Sequence, residues 1–213
     1  MRKNGKYFAT VVSQNQYKPS IWDPYLYRNT EGGHSLSQFV TVQRAGKKAQ
    51  KHCHVPFRSV EYRDILGGEC LSFALEKEEH SNPQHVVEEN TLLFGTMRAY
   101  LGNIVVTPLA EWVNQKAPLY FAVKSEFFAV YPFDELHYFW LIYFRSKKFT
   151  EFLPIGSGGT RPRLTIDSFE QTPVDLPDLQ TRRKIHEKIR ELAGVEWKTR
   201  TAVAETVNSL LES

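Results

Sequence analysis

The sequence predicts an α+β fold, a β-rich domain carrying amphipathic helices and followed by a long C-terminal helical arm. Three observations predict it. Across residues 5–176, short segments rich in Val, Ile, Phe, Tyr and Thr alternate with Gly, Pro, Asn and Asp, the punctuation of strands and turns. Within that stretch, Leu136, Phe139, Trp140, Tyr143, Phe144 and Phe149 follow a spacing of threes and fours, which predicts an amphipathic helix over residues 134–152 that packs as scaffold, with Asp134 as its cap. Beyond Pro177, Asp178 can cap a helix running close to the C-terminus, because no proline follows and Gly194 is its only glycine. The expected division is a globular domain over residues 1–176 and an arm over 177–213, with no internal repeat.

The strands expected are residues 7–12, 39–44, 91–94, 103–106 and 119–123, with Pro24, Pro56 and Pro108 in or near the breaks between them. On the arm, Ile185, Ile189, Leu192, Val195, Val203, Val207 and Leu210 form one narrow apolar stripe, interrupted at Glu196 and Thr199. Such a stripe must be covered. It can fold back on its own domain or pair with another helix, and the charge on the arm's other faces favours the second. Ile185, Ile189, Leu192, Val203, Val207 and Leu210 are therefore the candidate oligomer or partner contacts.

The chain of 213 residues is 41% hydrophobic and 13% aromatic, enough to bury a core and too much for a disordered chain. No apolar run approaches the roughly 20 residues that span a bilayer, and the basic start from Met1 to Lys6 lacks the apolar stretch of a secretion signal. A cytoplasmic location is expected. The two cysteines, Cys53 and Cys70, are too few for a disulfide framework and read as free thiols. A net charge of +3 does not itself point to nucleic acid. Its distribution does. Arg44, Lys47, Lys48, Lys51, Arg58 and Arg63 stand against Glu61 alone, and Arg145, Lys147, Lys148, Arg161 and Arg163 against Glu151 alone. A third cluster, Arg182, Arg183 and Lys184 with Lys188 and Arg190, opens the arm.

Gly156, Gly158 and Gly159, followed by Thr160, Arg161 and Arg163, form the sharpest local motif, since glycines let backbone amides approach a phosphate while arginines supply charge and forked donors. It lacks the Gly-Lys-Ser/Thr ending of a nucleotide-binding loop, and an ordinary turn remains the alternative. His52, Cys53 and His54 invite a zinc reading, but Cys70, His80 and His85 complete no ligand pattern, so neither metal nor cofactor is expected. Asp178 with Glu196 and Lys198 echoes the acids of metal-dependent nucleases. On one helix, however, those acids stand roughly 27 Å apart. No nucleophile elbow and no amino-methyltransferase motif is present, and the chain reads as non-catalytic.

The order of motifs, Leu92 to Gly95, Arg98 to Gly102, Phe149 to Leu153, Gly156 to Leu164, Pro173 to Pro177 and Leu179 to Ile185, resembles the target-recognition domain and following helix of Type I restriction-modification specificity subunits. The resemblance covers the second half of the chain. It departs at Thr181 and Arg182, where the family commonly has a Glu-Gln pair. Family members usually carry two recognition domains separated by two antiparallel helices, each domain reading half of a split DNA target. This chain has one of each, so the resemblance implies a half-length subunit or a fragment, acting as a homodimer joined through the C-terminal helix on a split palindrome. It implies double-stranded DNA and methyltransferase subunits as partners, with a motor nuclease restriction subunit where cleavage follows; methylation and cleavage would belong to those chains. Lys47, Lys48, Lys51, Arg161 and Arg163 are the phosphate candidates, Arg98 and Tyr100 the base-reading candidates, with Gln50 as a further choice and a structural salt bridge as the alternative for Arg98. A small metal-dependent nuclease and a protein-interaction module remain the competing functions.

Overall fold

The computed structural model describes residues 34–44, 58–60, 62, 65, 86–113, 116–123, 125–154 and 163–211. The expected strand over 7–12 lies outside them.

Nine strands, four α-helices and three short 3-10 turns are described. The central sheet is antiparallel, with β2 (Val40–Arg44), β8 (Phe127–Pro132), β5 (Leu92–Gly95) and β6 (Ile104–Val106) side by side in that order. Register is set by Val42 opposite Val130, Leu92 opposite Val130 and Leu92 opposite Val106. A second sheet places β7 (Tyr120–Val123) between β3 (Arg58–Val60), parallel to it, and β4 (Val86–Glu88), antiparallel. A small ladder pairs β1 (His34–Ser35) with β9 (Pro173–Val174).

Side chains alternate across a strand, and here that alternation feeds two cores. Leu92, Phe94, Ile104, Val106, Phe128 and Val130 face the helices, whereas Leu93, Val105, Phe127 and Ala129 face the second sheet with Phe121 and Val123. The central sheet is thus a middle layer, buried on both sides. This is why β8 was not expected: Phe127, Phe128, Ala129 and Val130 are all buried, and a run apolar on both faces shows no period-two signal.

The helix expected over 134–152 is two helices, α1 (His137–Arg145) and α2 (Lys147–Thr150). Ser146 separates them. It is extended at φ −65° and ψ 147°, donates its hydroxyl to the Tyr143 carbonyl at 2.6 Å and accepts the Phe149 N–H at 3.2 Å, closing one helix and capping the next. Asp134 does not occupy the cap position, which falls to Leu136. Its Oδ1 instead accepts the Leu136 N–H at 3.2 Å and the Trp140 indole N–H at 3.0 Å, while Oδ2 pairs with Arg182 from the arm. Below, α3 (Ile166–Glu170) starts at the Thr165 cap and places Phe169 4.4 Å from Phe94 and 5.5 Å from Phe144, between centroids.

The final helix, α4 (Leu179–Leu211), is continuous over 33 residues, roughly 50 Å. Asp178 starts it, accepting the Thr181 N–H at 2.9 Å and its hydroxyl at 2.7 Å. The first half of α4 lies on α1. Ala193 and Trp197 are buried there, Ile185 and Ile189 pack at the edge of the helix-side core, and Trp112 stacks toward Trp197 with centroids 6.3 Å apart. Among the described residues no helix is long and apolar enough to cross a membrane.

Candidate nucleic-acid interface

The hairpin between β5 and β6 carries a raised turn. Gly95 N–H bonds to the Asn103 carbonyl at 2.8 Å, and the chain then leaves the sheet. Arg98 adopts a left-handed conformation, φ 48° and ψ 48°, and opens a 3-10 turn over Ala99–Leu101 that Gly102 closes at φ 68°. Its carbonyl accepts the Leu101 N–H at 2.8 Å. For a residue with a Cβ this backbone is strained by about 1–2 kcal/mol, so the surroundings must impose it. Ala99 is the turn's one buried anchor, and Arg98, Tyr100 and Leu101 are exposed, Tyr100 at 61%. An arginine, a tyrosine and a leucine thus stand together on solvent, held by backbone bonds.

A distant segment completes this ridge. Arg163 forms an antiparallel bridge with Met97, and the next residue, Leu164, donates its N–H to the Thr96 carbonyl at 3.1 Å. Arg163 therefore stands one residue away from Arg98 across a strand-like pairing, exposed, with Nη2 3.9 Å from the Glu126 carboxylate. At that distance and exposure the ion pair orients the guanidinium weakly and leaves most of its donors for another acceptor.

Tyr62 braces the same spot from below. Its hydroxyl accepts the Met97 N–H at 3.0 Å and donates to the Glu126 carbonyl at 3.3 Å, and its ring stacks on Phe127 with centroids 4.8 Å apart. Burial pushes its pKa up to about 12, so the phenol stays protonated and keeps both roles. Thr96 adds two bonds to the Glu126 carbonyl at 2.8 Å, one from its backbone N–H and one from its hydroxyl. Gly95 is required for this closeness. A Cβ there would lie 2.7 Å from both the Asn103 carbonyl and the Tyr62 hydroxyl. Neither Tyr62 nor Glu126 stood out in the sequence, since each acts through long-range bonds that carry no local pattern.

Of the residues expected to contact DNA, the structure thus sets exposed Arg98 and Tyr100 on one turn and exposed Arg163 on the backbone bridged to Met97, the residue before that turn. Lys47, Lys48, Gln50, Lys51 and Arg161 lie outside the described residues, as do the glycines of the 156–160 loop and His52, Cys53 and His54. Among the described residues no three His, Cys, Asp or Glu side chains gather as a metal would require. The continuous α4 keeps Asp178, engaged with Thr181, far from Glu196, which accepts from Arg200 at 2.9 Å.

The six arm residues divide. Ile185 and Ile189 are half-buried on their own domain, whereas Leu192, Val203, Val207 and Leu210 are exposed, Leu210 at 70%. At about 100° per residue, these four and exposed Val195 fall within roughly 60° of Leu192. The domain holds one face of α4 and leaves the adjacent apolar stripe open.

No family model matches the sequence, and no curated protein matches it. The solved structures similar to this chain include two of low identity. One comes from work on the structural basis of complex assembly and conformational transition of the type I R-M system, with 19% identity and a TM-score of 0.47, covering 86% of this chain and 44% of the other. The other is the HsdS subunit from Thermoanaerobacter tengcongensis, with 16% identity and a TM-score of 0.44, covering 81% of this chain and 40% of that subunit. The chain spans less than half the length of either.

Proposed function

We propose that this chain is a non-catalytic DNA-specificity subunit of the Type I restriction-modification kind, reading one half of a bipartite target and using its arm to hold a second copy and methyltransferase subunits. The observation that carries the reading is the exposed, strained turn of Arg98 and Tyr100, which directly follows Met97, whose backbone bridges exposed Arg163 from a segment more than sixty positions away. Arginine recognises guanine edges and phosphates with forked donors, and a tyrosine on the same rigid mount supplies contact area at little entropic cost. Strain retained at an exposed arginine fits a side chain aimed at a partner. The order of motifs in the second half of the chain agrees. Methylation with S-adenosylmethionine, and any cleavage, then fall to partner chains.

Selection from a random duplex pool, followed by titration at several salt concentrations, tests this. Arg98→Ala and Tyr100→Ala should each relax preference at defined base positions and cost about 1–3 kcal/mol. Arg163→Ala should do the same if it reads a base and weaken all duplexes alike if it holds phosphate. Binding that is absent, or indifferent to salt, overturns the assignment in favour of a protein-interaction module.

A further inference from the structure

Two histidines meet where α4 crosses the start of α1. His186 of α4 directs Nδ1 at the backbone N–H of Tyr138, accepting at 3.3 Å, and its ring meets the Tyr138 ring edge-on with centroids 5.6 Å apart. Tyr138 is the second residue of α1, where a backbone N–H has no partner within its own helix. Leu136, at the cap position, offers no side-chain bond. The imidazole from the arm therefore does for α1 what a Ser or Asp side chain does at other helix starts. His137, first in α1, bonds through Nδ1 to the Glu135 carbonyl at 2.9 Å. With Asn90, Tyr131, Glu135 and Arg190, the two histidines line an open cavity of about 520 Å³, so solvent protons reach them.

We propose that His186 is a proton-sensitive latch between arm and domain, capping α1 and holding α4 down when neutral, and releasing both when charged. A ring nitrogen accepts a hydrogen bond only while it is unprotonated. Protonation turns Nδ1 into a donor facing another donor and sets a positive charge against the positive end of the α1 dipole. The surrounding charges are mixed. Arg182, Glu187 and Arg190 come from α4 itself, Asp134, Glu135 and His137 from α1 and its approach, and Glu111 from the 3-10 turn at Ala110–Val113, where it pairs with Arg190 at 2.6 Å. Asp134, the acid that would best welcome the proton, is already committed to Arg182. Burial holds both histidines below the ordinary imidazole value of 6.5; for His186 the Leu136 backbone pulls upward and Arg190 pushes further down. Folded-state values below the unfolded one mean that docking is at full strength above the ordinary value and is lost as pH falls below it.

The latch does not depend on what the ridge binds, and hydrogen exchange of the whole chain tests it. Exchange over the first half of α4, corrected for the intrinsic effect of pH, is compared at about pH 7.5 and about pH 5.5. Acid should raise opening by up to roughly tenfold for each pH unit of linkage. His186→Asn keeps an oxygen in reach of Tyr138 N–H but cannot titrate, so its opening should be nearly equal at both pH values. His186→Ala should open at both, and His137→Gln should retain most of the wild-type response. Equal acid-induced opening in wild type and His186→Asn, or none in wild type, overturns the proposal.

Discussion

One carboxylate, that of Asp134, serves the start of α1, the Trp140 indole and the arm at once. Arg182, its partner, is largely buried and also lies over the Phe139 ring, 5.9 Å from the centroid. Removing the acid strands a buried cation. Asp134→Ala should therefore lower stability by roughly 3–5 kcal/mol in urea unfolding, far more than a surface pair would cost, and a loss below about 1 kcal/mol would show the pair to be solvated. Gly95→Ala tests the brace under the ridge. Because the new Cβ meets backbone at Asn103 as well as the Tyr62 hydroxyl, the strand must move, at a cost of about 1–3 kcal/mol. Tyr62 adds a pH signature. Its folded-state pKa lies above the ordinary tyrosine value of 10.0, so the stability it contributes is complete below that value and is lost as pH climbs toward about 12. Tyr62→Phe should flatten that alkaline limb in a pH series of thermal melts.

At the scale of elements, local signals were legible where they had only one partner to satisfy. The strands expected at 39–44, 91–94, 103–106 and 119–123 stand within a residue of Val40–Arg44, Leu92–Gly95, Ile104–Val106 and Tyr120–Val123. The start of α4 was readable because its cap, Asp178, bonds only three residues ahead. The break at Ser146 was not, since the aromatic spacing runs straight through it and only the serine's own bonds reveal the turn. Likewise Arg98 and Tyr100 drew notice as polar residues beside a glycine, but the approach of Arg163 to the same turn depends on its bridge with Met97, between distant segments. The arm's contact with the domain has its own test at Gly194. Trp112 lies 3.3 Å from where a Cβ would sit there, wedged toward both Tyr138 and Trp197. Gly194→Val should push the helix off this tryptophan, cost about 1–3 kcal/mol, and shift the indole emission to the red as water enters. Unchanged emission and stability would mean the contact yields freely.

For the whole molecule, the long helix joins two environments. Its first half completes the domain's core, and the stripe of Leu192, Val195, Val203, Val207 and Leu210 faces solvent. Replacing Leu192 and Val203 with Asp should leave the domain's unfolding transition in place while abolishing self-association, or pull-down of a methyltransferase subunit, as read by light scattering and capture. Retained assembly in that variant would exclude the stripe as the scaffold. The domain itself separates support from contact in a way that bears on its history. Only Ala99, a small side chain, ties the 98–101 turn to a core, while the strands that carry it are fixed by neighbours on both faces. Substitutions at positions 100 and 101 thus meet little packing constraint, whereas position 98 is restricted by its left-handed backbone rather than by packing. Variation at 100 and 101 can therefore accumulate at this tip without disturbing the core beneath it, on an unchanged mount.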